Sequence, residues 1–146
     1  MAQLRMAVMG LGMGASHGSR IIKYPDSRLV AVCDLSKERI KQALKSYAEE
    51  IGVPEAELPT PYTDMKEMFA KEKLDAVVVG LPSGLHSSGC IAAAKYGAHV
   101  LCDKPLEINT AKCDEIIAVC EKAGARLGVI YPMHFDPLMA GIKKAV

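Results

Sequence analysis

An α/β fold, a doubly wound parallel sheet forming one domain over residues 1–146, is what this sequence predicts, and three observations predict it. Short apolar runs alternate five times with longer stretches of helical periodicity. The runs are continuously apolar, as strands buried on both faces are, and do not alternate with polar residues. Glycine, proline, aspartate and histidine cluster just after the runs. Strand–helix alternation of this kind gives a parallel sheet with helices on both faces and right-handed crossovers. Its ligand-binding edge lies beyond the carboxyl ends of the strands.

The elements follow in order. Leu4–Met9 is the first strand, apolar apart from Arg5, and it runs into Gly10-Leu11-Gly12-Met13-Gly14-Ala15. Gly10 allows positive φ in a tight turn, and Gly12 removes a Cβ so that a ligand can approach the backbone. Ala15 takes the third small position of a G-x-G-x-x-G/A pattern, where helix and strand pack closely. Ala15–Tyr24 is then a helix, stopped by Pro25, and Asp26-Ser27 turns the chain into a strand, Leu29–Cys33, that ends in Asp34. Ser36 can cap a helix whose apolar face is Ile40, Ala43, Leu44, Tyr47, Ala48 and Ile51, with Gly52 placed to end it. Val53–Pro61 holds three prolines and reads as a loop. Asp64 with Glu67 resembles a capping box for a short helix through Met68 and Phe69.

Ala76–Val79 is the third strand, followed by Gly80-Leu81-Pro82-Ser83-Gly84, then His86 and a small-residue helix to about Tyr96 that Gly97 can terminate. His99–Cys102 is the fourth strand and leads directly into Asp103-Lys104-Pro105. Thr110 can cap a helix in which Cys113, Ile116, Ile117 and Cys120 share one face, with Gly124 behind it. Arg126–Ile130 is the fifth strand. Asp136-Pro137 then reads as an N-cap with proline in the first helical position, opening a helix that runs to Val146.

Composition narrows the function classes. Lys and Arg number 18 against 17 Asp and Glu, the formal net charge is +1, and the cations are spread along the chain, so no nucleic-acid footprint is expected. No apolar run approaches the roughly 18 residues of a membrane helix, and no signal peptide precedes Met1. The five cysteines lack C-x-x-C spacing; they read as reduced core residues of a cytoplasmic protein, with no metal site.

The glycine turn between strand and helix would aim unpaired N–H groups and a positive dipole end at a pyrophosphate. Asp34 lies 22 residues after Gly12, where such a site places an acid for the ribose hydroxyls. The plainer reading is a glycine turn with no ligand. Lys104 is the candidate for chemistry: it follows a buried strand, an acid flanks it and proline holds it, so that, partly desolvated, it would donate or take a proton. Against this stands an ordinary surface lysine. His86, in the first turn of its helix, faces either the same edge or solvent. His17 is either close to the phosphates or a partly exposed helix-start residue, and His99 reads as structural.

In their order, the glycine turn, the strand-ending Asp34, Leu74-Asp-Ala-Val-Val-Val-Gly-Leu-Pro-Ser-Gly-Leu-His86, Gly97-Ala-His-Val-Leu-Cys-Asp-Lys-Pro105 and Phe135-Asp-Pro137 resemble the Gfo/Idh/MocA oxidoreductases, named for glucose–fructose oxidoreductase and inositol dehydrogenase. The similarity spans essentially all 146 residues, and the acid-Lys-Pro motif is its most specific element. It implies a Rossmann domain that uses NAD or NADP to move a hydride to or from a carbon of a sugar, inositol or related polyol. Lys104 would match the family lysine that hydrogen-bonds the reacting hydroxyl and assists proton transfer. The cofactor would meet Gly10, Gly12, Met13, Gly14 and Ala15, then Asp34, then Leu81, Pro82 and His86, and finally Asp103, Lys104 and Pro105. Asp103 stands where the family more often has Glu, and His134 where many members have Arg or Asn. Family members carry a second α/β domain that supplies the substrate pocket and often a homo-oligomer interface; the resemblance therefore implies that these residues are the cofactor domain alone, inactive by itself. Asp34, with no arginine at positions 35 and 36, implies NAD over NADP, with Lys37 and Arg39 softening the choice.

Two other readings compete. A methyltransferase using S-adenosylmethionine also opens on Gly-x-Gly-x-Gly, but Val8 stands where such loops carry an acid, and acid-Lys-Pro has no place there. A non-catalytic dinucleotide sensor or interaction module on the same fold shares every binding feature.

Overall fold

The computed structural model describes residues 3–145. Strands β1 (Leu4–Met9), β2 (Ser27–Cys33), β3 (Thr60–Tyr62), β4 (Ala76–Val79), β5 (His99–Asp103) and β6 (Leu127–Ile130) alternate with helices α1 (Gly14–Lys23), α2 (Lys37–Glu49), α3 (Met65–Lys71), α4 (His86–Lys95), α5 (Thr110–Ala123) and α6 (Pro137–Ala145). Short 3₁₀ turns occupy Glu55–Glu57, Ser83–Leu85 and Pro132–Phe135. The sheet order is β3-β2-β1-β4-β5-β6, and every pairing is parallel. The order reverses between β1 and β4, which opens a crevice at their carboxyl ends.

Alternate residues of the central strands feed two layers. Ala7, Met9, Val77, Val79, Val100 and Cys102 pack with Met68 and Phe69 of α3, Cys90 and Ala93 of α4, and Ile116 and Cys120 of α5. On the other face Met6, Val8, Leu29, Ala76 and Val78 pack with Ile21 of α1 and Ile40, Ala43 and Tyr47 of α2. This second layer stops short of β5, where Val100 and Cys102 are buried but His99 and Leu101 are exposed.

The sheet has six strands where the sequence predicted five. The extra one, β3, lies in the end of the proline-rich stretch read as a loop, and pairs Ala31, Val32 and Cys33 of β2 with Thr60, Pro61 and Tyr62. Proline is tolerated because β3 is the sheet's edge, where one side of the strand needs no donor. Other boundaries moved for local reasons. Asn109, not Thr110, caps α5, its Oδ1 accepting from Ala111 N at 2.9 Å. On α5 the buried stripe narrows to Ile116 and Cys120, and Ile117 is exposed. Ser36 does cap α2, accepting from Arg39 N. Asp64 caps α3 through Lys66 N and Glu67 N, but Glu67 turns to Lys71 at 2.7 Å, so only half of the capping box forms. Asp136 caps α6 through Leu138 N at 2.8 Å. Val146, where the last helix was expected to end, lies outside the described residues.

Candidate active site

The glycine turn is fixed by its neighbours. Gly10 has φ +83°, and a Cβ there would overlap the carbonyl of Gly80 in the loop after β4. Gly10 N donates to Cys33 O at 2.8 Å, and Gly80 N to Met9 O at 2.7 Å. Asp34 completes the turn. It is 7% exposed, with Oδ2 accepting from Leu11 N at 2.7 Å and Oδ1 from Ser36 N at 2.8 Å. The acid expected to read ribose thus also ties the glycine turn to the end of β2.

The close packing predicted at Ala15, which lies against the core, is shared by Gly14. A Cβ on Gly14 would stand 3.0 Å from Val8 Cγ1, while Ala15 is only half-buried. The spacing Gly10, Gly12, Ala15 of G-x-G-x-x-A is intact, and the helix begins at Gly14, one residue before its last position. No side chain caps α1, and Met13 at its start is exposed. A Cβ on Gly12 would meet nothing within 4 Å. The result is a trough of about 340 Å³ bordered by Gly10, Gly12, Met13, Asp34, Arg39 and Pro82. Arg39 Nη1 stands 3.8 Å from Asp34 Oδ2.

The β5 end is built differently. Asp103 is half-buried; its Oδ1 accepts from Lys104 N at 2.9 Å and its Oδ2 lies 3.5 Å from His17 Nε2. His17, half-buried at the helix start, thus reaches from the first turn of α1 to the acid-Lys-Pro loop. Lys104 is at the predicted edge but is exposed, not partly desolvated. The Lys104–Pro105 peptide is cis.

His86 faces neither solvent nor the trough. It is 1% exposed and lies between the loops after β4 and β5, with Nδ1 2.8 Å from Pro105 O and Nε2 2.7 Å from Leu81 O. The ring therefore bonds two residues expected along the cofactor path and does not itself border the trough. Sequence reasoning missed Glu107. Its carboxylate is buried, accepting from Ser87 N and Ile108 N, each at 2.9 Å. Burial pushes this carboxyl up, but the bonds from Ile108 and Ser87 and the charge of Lys112 outweigh it and hold the group below the usual carboxylate range. The available signal was an acid between two apolar residues, Leu106 and Ile108, directly before a helix cap.

His99 Nδ1 accepts from Arg126 N at 3.1 Å, a structural role as read. His134 is exposed and meets Phe135 edge-on, with ring centroids 5.5 Å apart. The cysteines are all free; burial pushes the Cys33 thiol up to about 11, and a hydrogen bond with Cys102, then burial, pushes Cys90 up, so neither is activated as a nucleophile.

Residues 4–131 match the family described as Gfo/Idh/MocA, "Oxidoreductase family, NAD-binding Rossmann fold". Myo-inositol 2-dehydrogenase of Thermotoga maritima is 33% identical over 144 residues, 98% of this chain and 40% of that protein. D-xylose 1-dehydrogenase (NADP(+)) 2 of Haloferax volcanii is 44% identical over 94 residues, 62% of this chain and 26% of that protein. Among solved structures, the WlbA dehydrogenase of Bordetella pertussis in complex with NADH and UDP-GlcNAcA superposes with a TM-score of 0.82 at 27% identity, over 98% of this chain and 41% of that one. The chain spans about 40% of the length of the Thermotoga relative.

Proposed function

Because this chain belongs to the Gfo/Idh/MocA oxidoreductases, as their NAD-binding Rossmann domain, we propose that its strand-end edge serves hydride transfer between a nicotinamide and a carbon of a sugar, inositol or related polyol. The observation that carries the reading is the open space over Gly12 beside the uncapped start of α1, in the same trough as Asp34. The residues present fit a dinucleotide. Gly12, Met13, Gly14 and Ala15 would hold the pyrophosphate on backbone N–H groups and the dipole of α1. Asp34 would accept from the adenosine ribose, Leu81 and Pro82 would form one wall, and Asp103 and Pro105 the other.

When bound, the nicotinamide supplies the hydride acceptor or donor. Lys104 Nζ would hydrogen-bond the reacting hydroxyl and move its proton. The family relationship and the exposed position of Lys104 at the edge support this role. Hydride transfer also needs the substrate carbon held within roughly 3–3.5 Å of the nicotinamide, and positioning of that kind is worth roughly 7–11 kcal/mol. In this reading the 146 residues bind NAD and show no turnover by themselves. We place the protein in the cytoplasm, supported by its unpaired cysteines, and expect a homo-oligomer at full length. Among the described residues no helix is long and apolar enough to cross a membrane.

The test pairs calorimetry with thermal unfolding. NAD at a hundredfold over its Kd should stabilise the chain by about 2.7 kcal/mol. Gly12→Val should abolish that gain and leave the unfolding midpoint without ligand close to wild type, since a side chain there meets open space. A Gly12→Val protein that binds NAD as tightly as wild type overturns the reading. NAD reduction with a panel of polyols should stay at background, and a Lys104-dependent rate from this chain alone would show that it needs no further wall.

A further inference from the structure

Two carbonyl oxygens face the imidazole of His86, one at each ring nitrogen: Leu81 O at 2.7 Å from Nε2 and Pro105 O at 2.8 Å from Nδ1. A carbonyl oxygen only accepts. A neutral imidazole carries a hydrogen on one nitrogen and a lone pair on the other. In either tautomer, one of these contacts would set lone pair against lone pair at hydrogen-bond distance. The ring is 1% exposed, so solvent cannot take up the unmet group. With a hydrogen on both nitrogens, both contacts become charge-assisted donations.

A buried positive charge needs a partner. The buried anion on the adjoining segment is Glu107, 6% exposed; it is bonded to the backbone N–H of Ser87, the residue after His86, and among the described residues it makes no direct ion pair with the ring. The other charged groups of the same loop are engaged elsewhere or turned outward: Asp103 meets His17, and Lys104 is exposed. Among the elements packed against α4, neither β4 nor the Ser83–Leu85 turn brings a titratable side chain; β5 brings His99, Cys102 and Asp103, and α5 brings Cys113, Cys120 and the charged residues Lys112, Asp114, Glu115, Glu121 and Lys122, of which Lys112 acts on Glu107.

The positions of the two carbonyls give the ring its significance. Leu81 adjoins Pro82 on one side of the crevice, and Pro105 adjoins Lys104 on the other. We propose that His86 is a positioning residue, held with a hydrogen on each ring nitrogen, that ties the loop after β4 to the loop after β5 and so fixes where Lys104 stands relative to the trough. Glu107 secures the same loop one step further on through Ser87 and Ile108. The proposal rests on the reading of Lys104 as the proton-transfer group and of the two loops as cofactor walls.

Two measurements on the whole chain test it. Nitrogen-15 NMR of the wild-type protein at pH 7 should show a bonded hydrogen on each His86 ring nitrogen, slow to exchange with solvent. A ring nitrogen without a hydrogen overturns the proposal whether or not any variant folds. His86→Gln keeps one donating group and loses the second tie. Its amide signals at Leu81, Lys104 and Leu106 should move together, and its NAD affinity should fall about tenfold. Unmoved signals with a Kd within about twofold of wild type also overturn it. Failure of the wild type to bind NAD sinks the cofactor reading, while the ring-nitrogen result still decides the tie.

Discussion

An aspartate follows β2 directly and another ends β5, and the two acids are held in opposite ways. Asp34 is buried, and each carboxylate oxygen takes a backbone N–H from a different segment of the turn region. Asp103 is half-buried, bonds the N–H of its own neighbour, and reaches across only to a histidine side chain. The β1–β2 end is therefore set by backbone bonds and close glycine contacts, with helices over both faces of the strands behind it. The β5 end is set by side chains, namely His17, His86 and Glu107, beside a sheet face that is open at Leu101. The half that would grip the dinucleotide is built in; the half that would do chemistry is held at a few replaceable points.

The sharpest way to break that contrast is Gly10→Ala. The substitution forces a side chain into positive φ and against the Gly80 carbonyl, so unfolding in denaturant should show a loss of about 3 kcal/mol. A loss under about 1 kcal/mol would mean that the glycine end is no more rigid than the other.

Next comes Glu107, the anchor of the β5 loop. Its carboxyl is held below the usual range in the folded chain, so on acidification the unfolded state takes the proton first. Stability from this group is therefore complete well above its ordinary value of 4.5 and is lost as pH falls through the lower folded value. Glu107→Gln should be less stable than wild type at pH 7, and the gap should shrink in urea melts run at progressively lower pH below 4.5. A gap that stays constant with pH would place the stabilisation elsewhere.

The smallest effect concerns cofactor choice. Wild type should bind NAD about tenfold more tightly than NADP, a difference of about 1.4 kcal/mol, because a 2′-phosphate would meet the Asp34 carboxylate. Arg39 Nη1 at 3.8 Å limits the preference. Asp34→Asn removes the charge and keeps an acceptor for the turn, so titration calorimetry should find the two affinities drawn together. Equal affinities already in wild type would show that Arg39 cancels the acid.

Much of the fold was legible because parallel strands buried on both faces leave plain apolar runs and because caps such as Ser36 and Asp136 act locally. β3 was not legible: Thr60-Pro61-Tyr62 has no pattern of its own and becomes a strand only because β2 offers it an edge. The edge loops carrying Gly10, Asp34, Pro82 and Lys104 could be placed from their position after strands. What sequence could not convey was the direction each side chain takes. His86 opens α4 and Lys104 stands on the loop beside it, yet the first is sealed from solvent and the second is exposed. Glu107 was invisible because its role depends on an N–H twenty residues earlier in the chain.

Pro61 has a consequence for how this protein meets its neighbours in a crowded solution. A sheet grows when its outermost strand offers a free ladder to another chain. At β3 that ladder is three residues long and lacks one amide hydrogen. At the opposite border β6, Leu-Gly-Val-Ile, pairs among the described residues with β5 alone and carries neither proline nor charge. Stacking of one molecule's strands onto another's is therefore a greater hazard at β6, the flank nearer Lys104, than at β3.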